Sequence, residues 1–211
     1  MHKATQLFLA LLLFASATVS AGVYEDMMHA IAIDDQAKVS ALLKKGMDVD
    51  TVSAKGDSLL MLAVREGKPA VVQTILAHRP KINARNANGE TALMLAAIRG
   101  QTELAKLLLD AGAQVNQSGW TPLIYAAAGN RMDIARMLLA KGANINATAE
   151  NGTTALMMAA REGHLPIVLL LMEHGADINH KTPYGYTALG LAINRGKKDV
   201  AEVLMKAGAQ E

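Results

Sequence analysis

Histidine is the side chain that most readily moves protons or holds metals near neutral pH. Beyond residue 21 the chain carries five of them: His29, His78, His164, His174 and His180. None stands in a pattern such as H-E-x-x-H, where two imidazoles one helical turn apart share a metal. The nearest approach to a ligand cluster is His174 with Asp177, fewer groups than a zinc site needs. The sequence contains no G-x-S-x-G elbow, no phosphate-cradling P-loop and no G-x-G-x-x-G. It has no cysteine, which excludes disulfides, thiolate zinc sites, iron–sulfur clusters and thiol nucleophiles. Asp34 and Asp35 fall in an expected turn, and Glu66 and Glu162 follow Arg65 and Arg161. Local ion pairing of that kind accounts for them and stabilises little. No catalytic residue, cofactor or metal site is expected.

Methionine leaves one chemical alternative. Met61, Met94 and Met157 occupy one position of a recurring pattern, 33 and 63 residues apart. Thioethers suit Cu(I) and react with oxidants, so a metal-handling or oxidant-sensing role is one reading. Adaptable filling of a packing gap is the other, and it is favoured because metal-selected methionines cluster within one short segment.

Composition narrows the class further. Charged residues make up 19% of the chain, the formal charge is +2, and aromatics are only 3%. No concentrated basic surface is expected, which argues against a nucleic-acid partner. A core of small and flexible apolar residues points to closely packed helices rather than a sheet sandwich.

The first residues have the layout of a secretory leader. Lys3 precedes the apolar run L-F-L-A-L-L-L-F-A of Leu7–Ala15, and small residues follow. Val19 and Ala21 stand where a signal peptidase reads, so cleavage is expected after Ala21. The run is shorter than the roughly 20 residues of a spanning helix. Loss of residues 1–21 removes Lys3 from 21 basic residues and none of the 19 acidic ones, leaving a net charge of +1. The expected location is periplasmic or secreted, and no later segment is apolar enough to span a bilayer.

The elements that position all these residues are set by an internal repeat. Gly89 opens G-E-T-A-L-M-L-A-A-I-R-G, Gly119 opens G-W-T-P-L-I-Y-A-A-A-G-N, Gly152 opens G-T-T-A-L-M-M-A-A-R-E-G and Gly185 opens G-Y-T-A-L-G-L-A-I-N-R-G. A weaker copy, G-D-S-L-L-M-L-A-V-R-E-G, starts at Gly56, and the spacings are 33, 30, 33 and 33 residues. G-A-Q-V-N, G-A-N-I-N and G-A-D-I-N close three of the blocks, from Gly112, Gly142 and Gly175. Thr91, Thr121, Thr154 and Thr187 predict helix N-caps, with Pro122 tolerated just inside. Leu93, Leu123, Leu156 and Leu189 predict a core face. Gly67, Gly100, Gly163 and Gly196 predict left-handed helix ends, and Asn130 fills that slot in the shortened copy. A second apolar-periodic helix follows, such as T-E-L-A-K-L-L-L-D of Thr102–Asp110.

On these residues the chain resembles the ankyrin-repeat family over Val23–Glu211. The resemblance implies an all-α repeat solenoid, a stack of helix-turn-helix units with β-turn fingers. It divides the chain into a leader (1–21), an N-terminal capping repeat (22–52), a degenerate repeat (53–85), three repeats (86–115, 116–148 and 149–181) and a C-terminal capping repeat (182–211). The family's usual His after T-P-L is replaced by Met61, Met94, Ile124, Met157 and Gly190. Packing must therefore substitute for that histidine's hydrogen bonds.

The resemblance also implies binding through finger tips and first-helix ends. Its exposed finger positions fall at Lys55 and Asp57, Asn88 and Glu90, Ser118 and Trp120, Asn151 and Thr153, and Tyr184 and Tyr186. Its helix-end positions include Arg65, Arg99, Arg161 and Arg195, which suggest a partner with an acidic surface, although a solvated charged face would look the same. The middle unit has the shortest finger, the small helix-end pair Ala128 and Gly129, and the chain's one tryptophan, Trp120. A notch rimmed by Trp120 is expected there. Trp120 either anchors a partner or folds over its own turn onto Tyr125.

The function expected is an exported, monomeric, non-enzymatic protein-binding module, acting as accessory or stabilising partner of another periplasmic protein. An immunity-type protein that neutralises a periplasm-acting toxin is the alternative within the same class.

Overall fold

A computed structural model describes residues 22–211, so the expected leader lies outside the described residues. These residues form six antiparallel helix pairs: α1 (22–32) with α2 (Gln36–Lys44), α3 (Leu59–Arg65) with α4 (Pro69–Ala77), α5 (Ala92–Arg99) with α6 (Thr102–Asp110), α7 (Pro122–Ala128) with α8 (Met132–Ala140), α9 (Ala155–Glu162) with α10 (Leu165–Glu173), and α11 (Ala188–Asn194) with α12 (Lys198–Lys206). One pair falls within each of the six segments expected after residue 21. Among the described residues the only β-pairing outside helices is an isolated bridge between Val52 and Ser58.

Local chemistry sets these boundaries. The hydroxyls of Ser58, Thr91, Thr121, Thr154 and Thr187 accept from the backbone N–H three residues on, at 3.0–3.4 Å. Each satisfies a donor that a helix start leaves orphaned. Gly100 and Gly163 end their helices at φ 73° and 82°, and Asn130 takes the same conformation at φ 55°. Leu93, Leu123, Leu156 and Leu189 are buried, as are the alanine pairs of α5, α7 and α9. Those methyl-sized side chains let α5 pack on α7 and α7 on α9.

Successive units are tied by two polar ladders. The side-chain oxygens of Asp50, Asn83, Asn116, Asn146 and Asn179 accept from the backbone N–H of Lys81, Gln114, Asn144, Asp177 and Gln210, at 2.7–2.9 Å. This is the physical use of the asparagine that ends each G-A-x-[IV]-N. On the other side, Gln101, Arg131 and His164 donate to the carbonyls of Val64, Ile98 and Ala128, at 2.8–3.1 Å. They cap the exposed C-terminus of the preceding unit's first helix.

The position that lacks histidine is filled by apolar bulk. Met61, Met94, Ile124 and Met157 are at most 1% exposed. Sealed in the core, the three thioethers make packing contacts, and an ion or oxidant in solvent does not reach them in the folded chain.

Candidate functional site

The fingers and the first-helix row build one face of the stack. Four fingers are closed by the same pair of bonds. In the third unit Asn86 N–H donates to the Glu90 carbonyl at 3.0 Å and Gly89 N–H to the Asn86 carbonyl at 2.9 Å, and the fingers at Ser53, Ala149 and Thr182 repeat this. The short fourth finger is held from outside instead. Arg85 donates to the Ser118 carbonyl at 2.9 Å, and the Glu150 carboxylate lies where a side chain on Gly119 would begin. Asn116 bridges to the next unit, accepting from Asn144 N–H and donating to the Gly142 carbonyl at 2.9 Å.

This anchoring turns Trp120 inward. Its ring packs on Tyr125 with centroids 5.3 Å apart and planes tilted by 51°, within the range where aromatic pairs attract. The Tyr125 hydroxyl donates to Glu90 at 3.4 Å. Burial, then the negative charge and hydrogen bond of Glu90, push the Tyr125 phenol up to about 12, with a smaller push from Glu150.

The far side of Trp120 faces a cavity of about 330 Å³. Trp120 shares its lining with Asn151, Thr153, Met157, Met158 and Arg161 of the fifth unit and Thr182, Tyr184, Tyr186 and Leu191 of the sixth. Trp120 therefore does both things left open by the sequence: it covers Tyr125, and it walls a cavity. Four expected site residues meet here, Trp120, Arg161, Tyr184 and Tyr186. Tyr184 is 76% exposed and Tyr186 51%.

Other expected positions are used differently. Arg65 is committed within the chain, with Nη2 at 3.3 Å from Asp57 and 3.5 Å from Glu90. Asn86 donates to both carboxylates, at 2.7 and 2.9 Å. Asp57, expected at an exposed finger position, is only 4% exposed, because a carboxylate with two internal donors can be buried. Arg65 and Glu90 thus belong to a network that locks two fingers together. Asn88 and Ser118 are exposed at finger tips. Arg99 and Arg195 are exposed too and make no ion pair among the described residues, but they lie outside the cavity. The notch expected beside Ala128 and Gly129 is filled: a side chain on Gly129 would meet the Ile98 carbonyl oxygen at 2.7 Å and the Arg131 side chain behind it. The opening lies on the Tyr184 side of Trp120 instead.

Met158 and Leu191 were missed as lining residues, since both read as core positions of a first helix. His174 and Asp177 are engaged locally, His174 donating to the Leu170 carbonyl at 2.8 Å and Asp177 accepting from Asn179 N–H at 3.0 Å.

Comparison with known proteins agrees with this geometry. A family model described as ankyrin repeats (3 copies) matches residues 60–149 and 145–211. The crystal structure of the human ASB11 ankyrin repeat domain superposes with a TM-score of 0.78 at 24% identity, over 87% of this chain and 84% of that one. A comparison with curated protein sequences finds no match.

Proposed function

We propose, because this chain belongs to the ankyrin-repeat family, that it is a non-enzymatic module binding a partner protein through its fingers and first helices. The observation that carries this is the pair Tyr184 and Tyr186, left 76% and 51% exposed at the rim of an aromatic-lined cavity. Folding alone gives no reason to leave such rings in water, whereas aromatic side chains beside a pocket are typical anchors of protein interfaces. The leader-like residues 1–21 support export, and the mature chain acts as a monomer, stabilising or escorting another exported protein.

The test is capture of partners from the extracytoplasmic fraction with three purified proteins: wild type, Tyr184→Ala/Tyr186→Ala, and Leu169→Ala on α10. Wild type and Leu169→Ala should retain one stoichiometric partner that the double variant loses. Undiminished retention by the double variant would refute binding through this face. Terminal sequencing of the exported protein should start at Gly22; a chain found intact and unexported would end the proposal of a secreted role.

A further inference from the structure

Resting on that protein-binding role, we infer that the Trp120–Tyr184 cavity receives a partner segment in which an acidic residue adjoins an apolar one. The apolar side chain sits among Trp120, Tyr184, Tyr186 and Leu191, and the carboxylate is held by Arg161.

Size and lining set the first half. At about 330 Å³ the cavity lies at the low end of the range for ligand sites, suited to one large side chain and its neighbour. Its walls are three aromatic rings, Met157, Met158 and Leu191, so an apolar side chain loses water against nearly every surface it meets.

Charge sets the second half. Arg161 is the one charged residue of the lining, and no carboxylate lines it. Its Nε pairs with Glu162 at 3.7 Å, and its Nη1 reaches only the Met158 sulfur at 4.0 Å. The two Nη groups thus meet no oxygen acceptor among the described residues, an open fork with the geometry that binds carboxylates in parallel. The neighbouring acids lie across Trp120. Glu90 and Glu150 act on Tyr125 on its other side, while the Lys197 stem lies against Gly163 at the end of the Arg161 helix. An anion is drawn to the Arg161 side and repelled from the Tyr125 side.

The carboxylate is a side chain rather than a chain terminus. Terminal carboxylates are captured by clustered free backbone N–H groups. The finger N–H groups here are taken: Gly152 and Gly185 donate to the carbonyls of Ala149 and Thr182 at 2.9 Å, and Thr153 and Tyr186 to the side chains of Asn151 and Thr182 at 3.1 Å. What remains is the Asn151 amide, whose oxygen is engaged and whose NH₂ is free to meet a partner's backbone carbonyl.

The probe is a library of random displayed peptides panned on the purified protein, followed by titration of the best binder with both ends capped. Because Trp120 is the only tryptophan, its emission and its indole N–H resonance report this cavity directly. Enriched peptides should place Asp or Glu next to Phe, Tyr, Leu or Met, and the capped peptide should shift the Trp120 signals saturably. Arg161→Gln, or Asp→Asn or Glu→Gln in the peptide, should each weaken binding about tenfold, and both together by little more than either alone. Arg99→Gln, outside the cavity, should leave binding unchanged; circular dichroism verifies that each variant is folded. Enrichment without an acid, binding that leaves Trp120 silent, or indifference to Arg161→Gln overturns the inference. So does a consensus that requires a free C-terminus, and so does a failure to enrich any peptide. The capture experiment above uses whole partners and different residues, so the wider role stands or falls separately.

Discussion

Asn86 holds the buried carboxylate of Asp57 from the next unit along, its amide donating to Oδ1 at 2.7 Å. The same amide donates to Glu90, and Arg65 sits beside both acids. Asn86→Ala should therefore destabilise the fold by about 1–3 kcal/mol, since it strips a donor from a buried acid and lets two carboxylates repel. Urea unfolding followed by circular dichroism measures this. Asn86→Asp should cost more at neutral than at mildly acidic pH, because a third carboxylate must then be accommodated.

Tyr125 links stability to alkali. Its phenol is raised to about 12 in the folded chain from an ordinary value of 10.0. Unfolding then releases the proton more readily, so stability is full below the unfolded value and is lost as pH rises from about 10 through about 12. Tyr125→Phe should flatten that part of the stability profile. In wild type a tyrosinate absorbance component should titrate near the raised value and vanish in the variant.

Asn116 makes two inter-unit bonds where Asn146 makes one such bond to the following unit. Asn116→Ala should accordingly lower stability by about 1–2 kcal/mol, and Asn146→Ala by roughly half of that. Denaturant midpoints for the two variants give the comparison. Equal losses would mean that the short finger does not depend on its asparagine.

Exposure orders the methionines by reactivity. Met205 is 53% exposed, whereas Met61, Met94 and Met157 are at most 1% exposed. Under limited peroxide, peptide mass spectrometry should find sulfoxide at Met205 first and none at the three buried residues until the protein unfolds.

The repeating architecture was legible because each of its requirements acts within a few residues. Thr91 caps a helix three residues away, and Gly100 ends it through its own backbone angle. The face was legible only in part, because its partners come from other units. Arg65 looked like a free cation, yet its acids lie 8 and 25 residues on. The smallness of Gly129 looked like an opening, yet it admits Arg131 and the Ile98 carbonyl. Trp120 was correctly placed near the site, while its contact with Tyr125 and its shared wall with Tyr184 depend on how three fingers meet. Side-chain register between units is a tertiary quantity that local spacing does not encode.

The asparagine ladder has a grain. In every rung the accepting oxygen comes earlier in the chain than the N–H that needs it, by 28 to 31 residues. As the protein is made from its N-terminus, each finished unit displays a hydrated oxygen already aimed at the backbone still to come. A half-made chain is thus a template with its next docking point laid out, and the stack can lengthen one unit at a time without undoing what precedes it.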